Sequence, residues 1–219
     1  MDTGIVRSNP PPRRRYDSSR RQAQAQDTRQ AVLDAGRALI IERGYARTTM
    51  REIATRAGVA VETVYKHVRG KPALLRALLD ADLGGPHPVP VAERAWVARV
   101  LAQPDAATKL ATAATEIGRV YASLAPLFLA VRAAADADDD AAEIWTARKA
   151  ERLDGMARFA EHLIDTGQTR PGLTVTEARD LLFAHTSPEL YGLLVLELGW
   201  PPERYTRWLT DLLHRQLLR

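Results

Sequence analysis

The side chains of this sequence best suited to chemistry lie between residues 60 and 71, where polar and basic residues are interleaved with an apolar stripe. Val61, Val64 and Val68 repeat at helical spacing and form the inward stripe of a short predicted helix. Four polar residues then face outward, with Tyr65 at the flank: Glu62, Thr63, Lys66 and His67. A short helix with a polar, basic outer face is how a helix-turn-helix presents its recognition helix to the major groove.

The residues before and after this helix carry the signals needed to hold it in place. Thr49 followed by Glu52 fits a capping box, in which each side chain bonds the other's backbone N–H. An apolar stripe at helical spacing follows, made of Met50, Ile53, Ala54 and Ala57. Gly58 can take the positive φ of a sharp turn, and Pro72 suits the first position of a further helix. The pattern predicts two short helices joined by a tight turn.

The stretch GYARTTMREIATRAGVAVETVYKHVRGKPALLRALLD resembles the N-terminal domain of the tetracycline-repressor (TetR) family, and the resemblance runs from about Thr28 to Asp82. TVYKHVRGK resembles the family's recognition helix. Two positions depart from the usual pattern: Ala60 stands where many members carry a capping Ser, and Val68 stands where many carry Phe. Neither departure removes a group that faces DNA.

The resemblance implies a role for each matching position. Base-edge contacts are expected of Thr63 and Lys66, because Lys suits the O6 and N7 atoms of guanine. Phosphate contacts are expected at the start of the second helix, on the recognition helix and at the start of the fourth: Thr48, Thr49, Tyr65, His67 and Lys71. Two alternatives stay open, namely that Tyr65 is a packing residue and that Glu62 pairs with Lys66 on a solvated face.

Composition argues against several other classes of protein. The 219 residues include no Cys, and the five His are scattered, so neither a disulfide framework nor a metal site is predicted. No run of about 18 apolar residues stands out, and the N-terminus lacks an apolar signal region. The chain has no Gly-rich phosphate loop, nucleophile elbow or evident acid–base pair. A cytoplasmic protein that is not an enzyme and carries no cofactor is expected.

Charge is divided unevenly along the chain. Residues 1–83 hold 16 Lys and Arg against 9 Asp and Glu, whereas residues 84–219 hold 15 against 18. The first part therefore has a net charge of +7 and the second −3, and the basic part contains the helix-turn-helix pattern, as phosphate binding requires.

Four segments follow from composition. Residues 1–26 are rich in Pro, Arg, Ser and Gln, which predicts a disordered basic arm. Such an arm either lies on phosphates or in the minor groove, or is a solvated tail with weak attraction to nucleic acid. Residues 27–83 form the helix-turn-helix domain, residues 84–90 a linker with three Pro and two Gly, and residues 91–219 a larger helical body.

The predicted fold class is all-α, with an N-terminal three-helix DNA-binding domain followed by a larger ligand-binding and dimerisation domain. Helices are expected at 27–43, 72–83, 91–101, 105–123 and 126–135. A long helix then ends near Gly167, and two further helices fill 176–218, the first interrupted at Ser187 and Pro188. The Asp cluster at 136–140 favours a capping or solvated-loop role over a metal site.

Two wide apolar segments near the C-terminus predict a dimer interface in which helices of two copies form a four-helix bundle. The alternative is a deeply buried core within one chain. The candidate interface residues are Leu190, Tyr191, Leu194, Leu198, Tyr205, Trp208 and Leu212.

Aromatic and polar residues of the body are candidates for an apolar ligand pocket, with ordinary core packing as the alternative for each. They are Trp96, Tyr121, Phe128, Arg132, Trp145, Phe159, His162 and His185. Arg132 is a candidate anchor for an anionic ligand, or else a partner of the nearby Asp cluster.

These patterns lead to one functional hypothesis with three partners: double-stranded DNA, a second copy of the chain and a small-molecule effector. The hypothesis is a homodimeric, ligand-responsive repressor that binds a near-palindromic operator. The alternative is a helical interaction protein that binds nucleic acid without sequence preference, and the sequence does not decide between repression and activation.

Overall fold

The structure, a computed structural model, describes residues 16–84 and 93–219. Regular structure in these ranges is helical, which confirms the all-α fold class. The helices are α1 Tyr16–Arg43, α2 Met50–Ala57, α3 Val61–His67, α4 Lys71–Gly84, α5 Ala95–Leu101, α6 Ala106–Ala134, α7 Asp139–Ile164, α8 Val175–His185, α9 Pro188–Tyr191 and α10 Pro202–Leu217, with a π-helical turn Gly192–Glu197 directly after α9.

The first helix is longer than its apolar stripe predicts. Its start at Tyr16 means that residues 16–26, expected to be part of a disordered arm, are helical. Arg, Gln and Ala dominate this stretch, and all three are strong helix formers. The remaining arm residues, 1–15, lie outside the described residues, as does most of the predicted linker.

The N-terminal helices bury one small core. α1 packs against α2, α3 and α4, and the apolar residues between them are fully or nearly fully buried. They include Val32, Leu39, Ile40, Ile53, Val64, Leu74 and Leu78. This core holds α3 in a fixed orientation relative to α1 and α2.

The central helix of the body is α6, and it contacts α4, α5, α7, α9 and α10. The predicted break between 105–123 and 126–135 is wrong, because α6 continues through Pro126. Pro lacks the N–H of the helical ladder, which normally ends or kinks a helix. Leu124, Ala125 and Leu127 are almost completely buried around it, so packing on several sides outweighs the lost bond.

α6 is also the one helix of the described residues that is long and apolar enough to cross a membrane by length and composition. Its sequence is interrupted by Lys109, Glu116, Arg119 and Arg132, so it contains no uninterrupted run of 18 apolar residues. Somewhat more than half of the relevant stretch, 56%, is buried inside the protein, which is typical of the core helix of a folded domain.

Three tyrosines form the aromatic centre of the body. The ring centroids of Tyr121 and Tyr191 are 5.8 Å apart, and those of Tyr191 and Tyr205 are 4.9 Å apart, both in edge-on geometry. Tyr191 is 1% exposed and Tyr205 is 0% exposed. Placing these two residues in a dimer interface was wrong, because the chain's own core already covers them.

The π-helical turn packs closely against α6. A Cβ atom on Gly192 would stand 2.6 Å from Leu129 Cδ1, so a larger residue would not fit here without movement. Leu193, Leu196 and Leu198 follow with exposures of 45%, 47% and 62%. The turn thus leaves three leucines in solvent at the end of the body.

The Asp cluster has a structural role. Asp138 is the N-cap of α7, and its carboxylate accepts a hydrogen bond of 2.9 Å from the backbone N–H of Ala141. Asp139 and Asp140 occupy the first helical turn, where negative charge is favourable. The capping interpretation is confirmed.

Two glycines inside helices are expected to respond oppositely to replacement by alanine. A Cβ at Gly36 of α1 would lie 2.6 Å from Leu74 Cδ2, and Leu74 is fully buried. Overpacking of this kind costs about 1–3 kcal/mol, which exceeds the roughly 1 kcal/mol that Ala gains in helix propensity. Gly155 of α7 has no atom within 4 Å of its hypothetical Cβ.

Gly36→Ala should therefore lower the free energy of unfolding by up to about 2 kcal/mol, while Gly155→Ala should raise it by about 0.5–1 kcal/mol. Urea unfolding followed by circular dichroism measures both. Equal stabilisation by the two variants would show that α1 and α4 are not packed as closely as described.

Candidate nucleic-acid interface and internal cavities

The start of α2 is held by the predicted capping box. Thr49 Oγ1 accepts from the Glu52 N–H at 3.3 Å, and the Glu52 carboxylate accepts from the Thr49 N–H at 3.0 Å. The Thr49 hydroxyl also donates to Glu52 at 2.8 Å. These bonds lower the pKa of Glu52, and they already engage the Thr49 hydroxyl that was expected to contact a phosphate.

Thr48 does not lie on the surface. Its side chain is 2% exposed, and its hydroxyl donates to the Gly44 carbonyl at 2.9 Å, at the end of α1. The expectation of a phosphate contact from the Thr48 side chain is therefore wrong in this conformation, since the hydroxyl is used to close the loop between α1 and α2.

The turn into α3 has the predicted left-handed glycine. Gly58 adopts φ +68° and ψ +30°, and Val59 N–H donates to the Ala54 carbonyl at 3.0 Å. Ala60, the N-cap of α3, makes no side-chain capping bond. α3 is held instead by packing, because Val64 is fully buried and Val68 is 4% exposed.

The predicted outer face of α3 is open. Tyr65 is 52% exposed, so the alternative that it is a packing residue is wrong. Lys66 is exposed, and Thr63 and His67 are partly exposed. Within the described residues Lys66 has no ion pair, so the alternative pairing with Glu62 does not form. The ammonium group is free to meet an acceptor outside the protein.

Two exposed arginines next to this face were missed by the sequence reading. Arg51 lies in the first turn of α2 and Arg69 directly follows α3, and neither has a carboxylate partner in the described chain. By contrast, Arg56 and Arg43 of the same domain pair with Glu42 and Glu52 at 2.6 and 2.9 Å. The sequence does hold a signal for Arg51: no Asp or Glu stands three or four positions away from it on the same helical face.

Lys71 faces inward more than expected. Its Nζ atom lies 4.2 Å from the centroid of the Tyr45 ring and 3.9 Å from Asp138 Oδ2. It is also 3.5 Å from the Ala46 carbonyl oxygen. Tyr45 is almost completely buried, so Lys71 joins the N-terminal helices to the start of α7 and does not project freely toward a phosphate.

The body contains a cavity of about 90 Å³ between α5, α6 and α7, and a second of about 300 Å³ adjoins it. Both are lined by Trp96, Ile117, Gly155 and Met156. A third cavity, of about 280 Å³, shares Phe128, Arg152 and Pro188 with the first and extends toward α8. The walls are mostly apolar, which is usual for small-molecule sites.

Six of the eight predicted pocket residues line these cavities. Trp96, Tyr121, Phe128, Trp145, Phe159 and His162 are among the lining residues. Arg132 lines none of them, and it pairs with Asp136 at 3.6 Å while stacking over Trp145. His185 also lines none, and its Nδ1 atom lies 2.7 Å from the Leu181 carbonyl oxygen.

The sequence analysis missed the three charged residues that line the first cavity, all on α7: Arg148, Glu151 and Arg152. Their i, i+3 and i, i+4 spacing places them on one face of the helix. The sequence did not distinguish them, because α7 carries charged residues on most of its turns.

The first cavity is linked to α4 by an ion pair. Arg148 contacts Asp80 of α4 at 2.7 Å and Glu151 at 2.9 Å. Nearby, Arg37 of α1 makes two bonds of 2.7 Å to Asp82 and one of 3.3 Å to the Ser123 carbonyl of α6. The cavity wall is therefore in direct contact with α4, the helix that follows α3, so a movement of Arg148 would be felt at α4.

Arg148→Met should lower the free energy of unfolding by about 1–3 kcal/mol, because it leaves the half-buried Asp80 carboxylate without its partner. Arg76 joins the same two helices through Glu143 at 3.0 Å, yet both side chains are largely exposed. Arg76→Met should therefore cost less than about 1 kcal/mol. Chemical unfolding of both variants tests this, and equal losses would contradict it.

Comparison with known proteins places this arrangement in a family. Residues 32–78 match the model of bacterial regulatory proteins of the tetR family. SrpR of Pseudomonas putida, an HTH-type transcriptional regulator, is 35% identical over 91 residues, which are 38% of this chain and 41% of SrpR. The chain thus spans about two fifths of the length of this relative.

Two solved structures share the fold over most of the chain. The SmeT–triclosan complex has a TM-score of 0.68 at 22% identity, covering 88% of this chain and 92% of SmeT. NalD, the secondary repressor of the MexAB-OprM multidrug efflux pump in Pseudomonas aeruginosa, has a TM-score of 0.67 at 20% identity, covering 89% and 98%. The N-terminal part of the chain, at residues 32–78, thus carries the helix-turn-helix domain of the tetR family of bacterial regulatory proteins.

Proposed function

We propose that this protein is a homodimeric transcriptional repressor that binds a near-palindromic operator through α3 and is released by a small-molecule effector. The observation that carries the proposal is the outer face of α3. Its exposed Tyr65 and unpaired Lys66 are presented by a helix that rests on a buried core. Such a face is suited to bases, with Thr63 and Lys66 as the base-contacting residues.

Phosphate contacts are assigned to the groups around this face. Tyr65 and His67 are the candidates on α3, and Arg51 and Arg69 are added because they are exposed and unpaired. Thr49 remains a candidate only because it lies at the start of α2, beside the exposed Arg51. Contacts of this kind position the protein on DNA without reading sequence.

Dimerisation is assigned to the end of the body. Leu193, Leu196 and Leu198 form an exposed apolar patch, and the half-buried Leu190, Leu194, Trp208 and Leu212 extend it. A single recognition helix reads few base pairs, whereas two helices related by a two-fold axis read both halves of a palindrome. The apolar patch supports pairing with a second copy.

Repression and release are assigned from the cavities and from the fold relatives. NalD is a repressor of an efflux pump, and SmeT was solved with triclosan. In this chain the Arg148–Asp80 contact joins the cavity wall to α4, which supports an effector that alters the position of the DNA-binding helices. Binding to DNA places the protein in the cytoplasm.

Fluorescence anisotropy with DNA from upstream of the protein's own coding region tests the proposal. Random DNA of equal length is the control, and both are measured at about 150 mM salt. If the operator lies elsewhere, a selection of genomic fragments that bind the protein identifies it. Nanomolar and selective binding supports a regulator. Equal affinity for operator and random DNA at every salt concentration would instead identify a nonspecific nucleic-acid binder.

A further inference from the structure

Arg152 of α7 is a cation without a counter-charge beside the internal cavities. Its Nη2 atom donates to the Phe183 carbonyl oxygen, and its guanidinium carbon lies 3.8 Å from the centroid of the Phe183 ring. Its Nε–H is buried and has no hydrogen-bond partner. Among the residues that the structure describes, no carboxylate lies within ion-pair distance of Arg152.

The neighbouring charges do not neutralise it. Arg148 and Glu151 face the same cavity, but they pair with each other, and Arg148 also pairs with Asp80. Glu189 and Lys149 both line the third cavity, and both are exposed to solvent. Arg152 is the charged residue shared by the first and third cavities, and no carboxylate of the described chain lies within ion-pair distance of it.

The surroundings of Arg152 are apolar and aromatic. Phe128 and Pro188 lie with it in the wall between the first and third cavities. Tyr121 is close by, but its hydroxyl donates to the Thr186 carbonyl at 2.7 Å and so has no proton to offer a ligand. A guanidinium in such a place is costly to bury unless an anion or a strong acceptor meets it.

From this arrangement we infer that the effector is an amphipathic monoanion, with an apolar, largely aromatic body in the cavity and a carboxylate or similar acidic group bound by Arg152. The inference rests on the proposed function, since it names the ligand of that effector site. Arg152 lines the first and third cavities, of about 90 and 280 Å³, and the second cavity beside them has about 300 Å³. These volumes lie at or below the lower end of the roughly 300–1,000 Å³ of common ligand pockets, so they suit a small organic acid. Arg132, the anchor expected from sequence, lies outside the cavities.

Isothermal titration calorimetry on the DNA-free protein tests this class of ligand. The probes are 2-naphthoate and decanoate, each compared with its own neutral amide, so that shape is matched and charge is changed. The native protein should bind at least one acid about tenfold or more tightly than its amide. Arg152→Gln should bring the acid to the affinity of the amide and leave the amide unchanged.

Two further variants separate a binding role from a structural one. Arg158→Gln removes the same charge from the same helix at an exposed residue that lines the second cavity, and it should keep the preference for acid. Arg152→Lys should restore part of the preference, because it keeps the charge but loses the planar donor pair. Circular dichroism confirms that each variant is folded.

Three results would overturn the inference: equal affinity for acid and amide in the native protein, an acid preference that survives Arg152→Gln, or no binding of either acid below about 1 mM. Because the titration contains no DNA, these outcomes do not depend on the operator. Acid binding without selective DNA binding would instead contradict the proposed function and leave the Arg152 site intact.

Discussion

Lys66→Ala is expected to weaken binding to the operator by about ten- to a hundredfold, corresponding to roughly 1–3 kcal/mol for one base-contacting side chain. The effect follows from the position of Lys66 on α3, where it is exposed and makes no contact with a carboxylate of the described chain. Removing it disturbs no packing, because the helix is held by Val64 and Val68 on the other side. Stability should therefore be unchanged.

The comparison with Arg69→Ala shows which kind of contact is lost. Arg69 is the candidate for a phosphate, so its loss should weaken operator and random DNA alike and reduce the salt dependence by about one counterion. Lys66→Ala should instead reduce the ratio of the affinity for operator DNA to the affinity for random DNA. Lys149→Ala, an exposed lysine on α7 far along the chain from α3, serves as the control for lost charge.

Anisotropy titrations at two salt concentrations give both affinities and their ratio. If the Lys66→Ala variant kept the native ratio of affinities for operator and random DNA, α3 would not be the element that recognises the base sequence. Residues 1–15, which carry three consecutive arginines, would then be the next segment to remove.

The second large effect is expected at the exposed leucine patch. Leu196→Glu should convert the dimer to a monomer, because the two-fold axis brings two copies of each residue into the interface and each carboxylate would be buried without a partner. Such burial costs about 2 kcal/mol or more per group, so dimerisation should weaken by roughly a thousandfold. Operator binding should fall with it, since one half-site alone is a weak target.

Ile41→Glu is a well-matched control for this substitution. Ile41 of α1 is 44% exposed and Leu196 is 47% exposed, so the two changes place the same charge at equally open apolar positions. Light scattering coupled to size-exclusion chromatography at micromolar concentration should find a dimer for Ile41→Glu and a monomer for Leu196→Glu. A dimer in both cases would mean that the copies meet elsewhere or that the patch serves another partner.

Local signals in the sequence were sufficient for the helix-turn-helix. The Thr49–Glu52 capping box, the left-handed Gly58 and the missing cap at Ala60 are each found where short-range rules place them. These features depend on neighbours within four residues along the chain, so the sequence contains all that determines them.

Features that depend on distant neighbours were predicted less well. Pro126 is accommodated inside α6 because other helices bury the residues around it. Tyr191 and Tyr205 look like interface residues in a wide apolar segment, yet they meet Tyr121 in the core. Periodicity shows that an apolar residue lies on a face of its helix that must be covered. It does not show whether the same chain or a second copy covers that face.

The sequence by itself determined the all-α class, the helix-turn-helix, the basic character of the N-terminal part and the outward set on α3. Only the tertiary structure decided that Thr48 is buried, that Lys71 turns toward Tyr45 and Asp138, and that Arg152 has no counter-charge beside the cavities. The reason is that a charge is neutralised by whichever group comes within a few ångströms, and for these residues such groups lie on other helices, far along the chain.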